Sequence, residues 1–310
     1  MKRIQELDFL KLIMILLMVS FHLVYIGDSY PYAKQFVYTF HMPVFLLISG
    51  YLMNVAKPAR RFLLSMWWLL VPYLVMESGY IMMASVLPIR EHIDQLTPLV
   101  FLEKLLLHPL GPYWYLHTLV LCGLTYFSIF RLPRLSLLTR YILMAVVFSL
   151  AARAGIVTLS LTLYFLSGAV IRHAGLQFLQ VVRPSWLAIL PLCLLAANPA
   201  NLSTGTAGGA FIVYLVMSLS LAVFPLIGQR LLRPLLYVGR NTLPIFLFSP
   251  MFTILCKQMV PLLDFEPTGM LFLVSSLLIC ISGSLMVCLV MDVCHLSPYF
   301  FGRSKGLQRY

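Results

Sequence analysis

Repeated apolar runs, 15 to 27 residues long and mostly separated by short charged turns, constrain this chain more than any other feature. Crossing a bilayer's hydrocarbon core takes roughly 20 residues at 1.5 Å each, and no water is there to satisfy the backbone. A helix pairs its own amides, so each run reads as a spanning helix. Composition points the same way: the 310 residues are 61% hydrophobic and 10% charged, too little charge to cover a soluble domain of this length. The expected fold class is all-α, a polytopic integral membrane helical bundle of about ten transmembrane helices in one domain, residues 1–310.

The runs fall at residues 9–27, 36–54, 62–88, 113–130, 141–155, 156–171, 185–199, 210–228, 242–262 and 269–294. The first contains Lys11 and His22 and has no small-residue cleavage site behind it, so it is expected to stay as a helix. Alternate turns carry the cations: Lys2 and Arg3; Lys57, Arg60 and Arg61; Arg131, Arg134 and Arg140; Arg172 and Arg183; Arg230, Arg233 and Arg240; Arg303, Lys305 and Arg309. That places 16 of the 22 basic residues on one side. The other turns hold Lys34, Arg90, Lys104 and Arg153 among Asp28, Glu91, Asp94, Glu103, Asp264 and Glu266. By the positive-inside rule both termini are cytoplasmic.

The net charge of +12 is then a topology signal, and without an aromatic-interleaved basic domain it implies no nucleic acid partner. TPLVFLEKLLLHPL, in the longest outer loop, reads as an amphipathic stretch along the interface. The six cysteines show neither metal-like spacing nor a disulfide framework and read as buried small residues.

Ionisable groups inside spanning helices are rare and mark functional sites by default. His22 lies about five residues from the outer end of the first span, and His41 about five residues in from the same face in the second. A short loop joins these helices, so the imidazoles share a level on neighbours. Glu77 in the third span and His117 in the fourth, within PYWYLHTL, fall in the same outer half. Each has a plainer explanation: a membrane histidine often bridges helices, and a protonated glutamate can serve as packing.

Lys11 lies eleven residues before His22, which brings the two to within about 20° of one helix face and about 16 Å apart along the axis. Asp8, three residues earlier, offers Lys11 a salt bridge. In YTFHMPVFLLISGY, Pro43 is expected to free the Thr39 carbonyl and bend the helix beside His41. Ser49 and Gly50 let another backbone or a narrow ligand approach closely. FLLISGYLMN finds a weak echo, short of a repeat, in LYFLSGAVIR of the sixth span.

ELDFLKLIMILLMVSFH followed by FHMPVFLLISGYL resembles the opening of the membrane acyltransferase-3 family, especially its fucose 4-O-acetylase-like branch of surface-glycan O-acyltransferases. That family's first helix carries an arginine, ten residues, then a histidine, and Lys11 and His22 occupy those places. His41, Pro43, Ser49, Gly50 and Tyr51 match its second-helix motif, and Lys57-Pro-Ala-Arg60 its first cytoplasmic loop. PYWYL, with Trp114, resembles its fourth-segment motif, and GRNTLPIFLFSP its later G-x-x-S-L-x-I-Y-L-x-H. Span count and length fit the whole chain, and the first 60 residues are the specific part. Lys11 departs from the family by lacking arginine's planar fork. Ser249 stands where many relatives have histidine, so the resemblance carries no role to that position.

The resemblance implies an O-acyltransferase, of the kind that transfers groups other than aminoacyl groups. It implies that acetyl passes from cytoplasmic acetyl-CoA to a hydroxyl of a cell-surface glycan or lipid-linked sugar precursor, in a bacterial inner membrane, among membrane lipids and without a metal. His22 is then general base or transient acyl carrier, His41 its partner or an oxyanion donor, and Glu77 an orienting or sugar-binding carboxylate. Lys11, Lys57, Arg60 and Arg61 serve the CoA phosphates, with the pantetheine arm passing Ser49 and Gly50. Trp114, Tyr115 and His117 border the sugar.

The chemistry agrees, since neutral imidazole, pKa about 6.5, suits removal of a hydroxyl proton, and basic loops suit a polyanionic donor. Basic turns that only set topology, and aromatics that only form an interfacial belt, are the plainer readings of these residues. Direct transfer and an acyl-histidine relay stay open. The alternative is a proton-coupled small-solute transporter of about ten helices. Such carriers pair two halves with a broken helix in each, and residues 156–310 hold no partner for FHMPVFLLISGY. A non-catalytic subunit leaves the imidazole pair unexplained.

Overall fold

The computed structural model of the chain describes residues 3–86, 91–263 and 265–308. Lys2, Arg90, Asp264, Arg309 and the last residues of the third expected span lie outside them. The described residues form helices and no strand. In chain order these are α1 (Gln5–His22), α2 (Val24–Ser29), α3 (Pro31–Leu52), α4 (Ala59–Val86), α5 (Pro98–Leu106), α6 (Trp114–Phe130), α7 (Leu137–Arg153) and α8 (Leu159–His173). There follow α9 (Phe178–Val181), α10 (Ile189–Ala196), α11 (Ala207–Val223), α12 (Gln229–Arg240), α13 (Thr242–Cys256), α14 (Val260–Leu263), α15 (Met270–Val293) and α16 (Ser297–Phe301). Local signals start several of them. The hydroxyls of Thr97, Ser136 and Thr206 cap α5, α7 and α11 by accepting from Val100, Thr139 and Gly209 N–H at 3.2, 3.1 and 2.9 Å.

Among the described residues, five helical stretches are long and apolar enough to cross a membrane: Pro31–Leu52, Ala59–Val86, Ala207–Leu226, Thr242–Leu263 and Met270–Val293. Helices α1, α6, α7 and α8 complete a polytopic membrane bundle at other expected spans. α1 and α3 run through its centre. Leu10, Met14, Val19, Val44 and Leu46 are fully shielded there, with α8, α11, α12 and α13 packed around the pair. Outer helices instead expose Val75, Leu150 and Leu278, as a lipid-facing surface requires.

The basic turns gather at one end. Arg131 donates to the Lys57 carbonyl at 2.6 Å, Arg172 to that of Tyr51 at 2.9 Å, and Arg3 to the Gln308 side chain at 3.0 Å. The opposite end ties Tyr30 to the Thr268 carbonyl at 2.7 Å, Gln35 to that of Leu202 at 3.5 Å, and Tyr32 to that of Ala196.

Three expectations change in the structure. The first expected span is not one helix, although α3 stays helical through Pro43. The interruption lies at Leu23, whose extended backbone (φ −69°, ψ 107°) ends α1 directly after His22. Leu23 is 1% exposed, so tertiary burial holds a break that no proline or glycine announces.

The expected span 185–199 is helical only over Trp186–Ala196, too short to cross alone. The chain reaches it through residues 182–185, whose polar groups pair with α11. Ser185 N–H donates to the Ser218 carbonyl at 3.3 Å, and the Ser218 hydroxyl donates to the Arg183 carbonyl at 2.6 Å. Finally, the turn holding Arg230, Arg233 and Arg240 is itself helix α12. It seats Leu232 and Leu236 against Phe9 and Leu12 of α1.

Candidate active site

Three hollows follow one another along α3. The first, about 350 Å³, faces the basic end and is lined by Lys11, Ser49, Asn54, Lys57, Tyr115 and apolar walls such as Leu119. A second, about 180 Å³, lies deeper and is lined by His22, Tyr38, His41, Pro112, Trp114 and Thr204. Met42 and Phe246 line both, so they form the partition between them. A groove of about 390 Å³ at the opposite end is bordered by Lys34, Gln35 and Ser203 and shares Tyr38 and Thr204 with the second hollow.

The two histidines that line the second hollow are anchored through the same nitrogen. His22 Nδ1 lies 2.7 Å from the Met18 carbonyl and His41 Nδ1 2.8 Å from that of Val37. A carbonyl oxygen only accepts, so Nδ1 carries the hydrogen in each. Nε2 of a neutral ring then holds the lone pair. The ring of Tyr38 stands between them, 6.0 Å from His22 and 5.1 Å from His41 by centroids. Both imidazoles are therefore oriented as proton acceptors beside one small cavity.

At the basic end, Asp8 gathers three cations: Arg3 at 2.6 Å, Lys11 at 2.8 Å and Arg240 at 3.3 Å. Of these three, Lys11 also forms part of the wall of the first hollow and brings its ammonium there. The anchoring salt bridge of Lys11 and its place in the cavity coexist. The Ser49 hydroxyl, 3.1 Å from the Tyr115 hydroxyl, adds a polar point on the same wall.

The remaining predicted residues stand apart from the hollows. Glu77 accepts from the Leu110 N–H at 2.6 Å, while Glu91 accepts from the Gly111 N–H at 2.6 Å. Together they pin the turn that delivers Pro112 and Trp114 to the second hollow. His117 uses Nε2 on the Leu106 carbonyl at 2.9 Å and stacks near Tyr73, which ties α6 to the end of α5. Gly50 packs against α8, not against a cavity. Arg60 and Arg61 are exposed at the start of α4, outside the lining of the first hollow. Ser249 is buried within α13.

Sequence reading overlooked Tyr38, Met42, Thr204 and Phe246 as cavity walls, and Asn241 as a fastening. Asn241 Oδ1 accepts from Gln308 N–H at 2.7 Å and its Nδ2 donates to the Gln308 carbonyl at 3.2 Å, which locks the C-terminal segment beside the Asp8 cluster. Its position in GRNTLP, between an amphipathic and an apolar stretch, was the available signal.

A central pair of membrane helices, with a lysine-bordered hollow on one side of Met42 and Phe246 and an imidazole-lined hollow on the other, frames the candidate site of this membrane protein. The model of the acyltransferase-3 family, described as an acyltransferase domain, matches residues 4–291, and the chain belongs to that family. It is a membrane acyltransferase. No curated protein and no solved structure matches it.

Proposed function

We propose that this acyltransferase moves an acetyl group from cytoplasmic acetyl-CoA to a hydroxyl of a cell-surface glycan or lipid-linked sugar, across a bacterial inner membrane. The observation that carries the reading is the meeting of the two hollows at Met42 and Phe246, with cations on one side and paired imidazoles on the other. The positive-inside rule assigns the basic end to the cytoplasm, where the donor substrate is found.

The first hollow fits the arm of that donor. Its volume lies within the ~300–1,000 Å³ of small-molecule sites, its walls are apolar, and Ser49 and Asn54 offer polar points for amide groups. Lys57 at the mouth, with Arg60 and Arg61 on the adjoining turn, suits the phosphates outside it. The groove at the opposite end, with Lys34, Gln35 and Ser203, offers hydrogen-bonding groups to a polyhydroxyl acceptor.

In the reaction, the acceptor hydroxyl gives its proton to His22 Nε2 as its oxygen bonds to the thioester carbonyl carbon. Collapse of the tetrahedral adduct breaks the carbon–sulfur bond, and the leaving thiolate takes the proton from His22. The products are the O-acetyl ester and free CoA thiol. His41 has its Nδ1–H committed to Val37, so as a neutral ring its Nε2 accepts from a second hydroxyl of the sugar and holds the acceptor in place. It donates to the oxyanion only as imidazolium. Trp114 brings an N–H donor to the same hollow, while the Tyr38 hydroxyl donates to the Phe21 carbonyl at 3.3 Å. A relay through an acyl-imidazole uses the same His22 nitrogen, and ping-pong kinetics separates the two routes.

The test is free thiol released from acetyl-CoA by the reconstituted full-length protein, with a glycan extract as acceptor. Thiol and O-acetylated glycan appearing in equal amounts is the expected result. Solute flux into liposomes without thiol release or acetylated product would overturn the reading.

A further inference from the structure

The partition consists of Met42 from α3 and Phe246 from α13, each 6% exposed. We propose that these two side chains set the length of acyl group the enzyme accepts. The inference rests on the acyl-CoA reading above. Lys11 and Lys57 line only the first hollow, and His22 and His41 only the second. A thioester held from the basic end therefore meets the imidazoles at the partition, with its carbonyl carbon between Met42 and Phe246.

Whatever extends beyond that carbon has two places to go. One is the second hollow, whose 180 Å³ must also admit the acceptor hydroxyl. The other is against the partition itself. Phe246 is the fixed wall: its ring lies edge-on to Tyr113 at 6.1 Å and to Tyr115 at 5.5 Å, and the Tyr113 hydroxyl grips the neighbouring Leu247 carbonyl at 2.9 Å. Met42, unbranched and next to His41 in the chain, is the adaptable wall. A methyl group passes between them, and each further methylene must displace packed side chains. The bond changes are those of the parent reaction: carbon–sulfur breaks, carbon–oxygen forms, and the hydroxyl proton ends on the thiol.

The experiment measures thiol release by the reconstituted full-length protein from acetyl-, propionyl-, butyryl- and hexanoyl-CoA, with glycan extract as acceptor. The wild type should favour acetyl over butyryl by about tenfold or more, the discrimination that methylenes command in an apolar pocket. Met42→Ala and Phe246→Ala should raise the butyryl-to-acetyl ratio about tenfold, and Met42→Phe should lower it. Where an alanine variant fails to accumulate, Met42→Val and Phe246→Leu remove less volume and should move the same ratio in the same direction. Variants that turn over acetyl-CoA with the wild-type ratio would overturn the proposal, as would a wild type that uses hexanoyl-CoA as fast as acetyl-CoA. A well-accumulated wild type that releases no thiol from any thioester would remove the acyl-CoA reading itself, and this inference with it.

Discussion

Gly50 of α3 and Gly168 of α8 are seated in each other's backbone. A Cβ on Gly50 would fall 2.0 Å from the Phe165 carbonyl oxygen, and one on Gly168 2.0 Å from that of Leu47. The two helices run in the same direction, and these glycines belong to the echoing stretches FLLISGYLMN and LYFLSGAVIR. The echo is therefore an interface: each serine–glycine step is shaped to the other, as small residues permit where no hydrophobic effect drives helices together.

Gly50→Ala and Gly168→Ala should each destabilise the bundle by about 1–3 kcal/mol, the usual cost of overpacking. The contacting atoms are backbone, so rotamer changes cannot relieve the clash. Thermal unfolding in detergent measures the loss. Gly79→Ala, inside α4 with nothing within 4 Å of its added methyl, should not lower the transition and can only raise it through helix propensity.

His22→Ala and His41→Ala should each lower acyl transfer by about 100-fold or more while the protein accumulates normally. Both rings line one hollow and are proposed to serve one acceptor, so the double variant should lose little beyond the worse single variant. Normal transfer in both single variants at normal expression would exclude the proton-acceptor assignment.

Donor binding should separate the cations that line the cavity from those beside it. Lys57→Gln should weaken CoA binding more than Arg60→Gln or Arg61→Gln, since only Lys57 of the three borders the first hollow. Affinity should fall as salt rises, because phosphate contacts at an exposed mouth are screened over about 8–10 Å. Lys11→Arg should be tolerated, and Lys11→Ala should weaken binding and leave Asp8 with two cations. Titration calorimetry at two salt concentrations reads all five proteins.

Reporter fusions after Arg61, Arg140 and Arg240 should signal cytoplasm, and fusions near Asp28 and Asp94 the far side. A far-side signal at Arg61 would reverse the assignment of the two hollows to donor and acceptor.

Much of this arrangement was legible because lipid leaves the backbone few options. Runs of apolar residues between basic turns located α3, α4, α6, α11, α13 and α15 closely. The common depth of His22 and His41 followed from a short loop between antiparallel helices, and the common face of Lys11 and His22 from helical periodicity. What stayed hidden depends on which helices are neighbours. Met42 and Phe246 look like any other apolar residues in apolar helices, and only the packing of α13 against α1 makes them a partition. Gly50 could be read as room for a ligand or for a backbone, and the identity of α8 as its neighbour decides. Glu77 and His117 share the depth of the imidazole pair, yet depth says nothing of azimuth, and their side chains turn to Leu110 and Leu106. The break at Leu23 carries no local signal at all.

Hollows approach Met42 and Phe246 from both ends of the bundle, and this has an electrical meaning. Elsewhere the membrane voltage is spread across about 30 Å of hydrocarbon. Where water enters both hollows, the insulating layer narrows to that one pair of side chains and the voltage falls mainly across them. Trimming that pair to widen the acyl channel would also thin the dielectric, and a variant generous to long thioesters should conduct protons when the membrane is energised. The proposed selectivity for the acyl group and the insulation of the membrane thus rest on the same two residues, and the two should fail together.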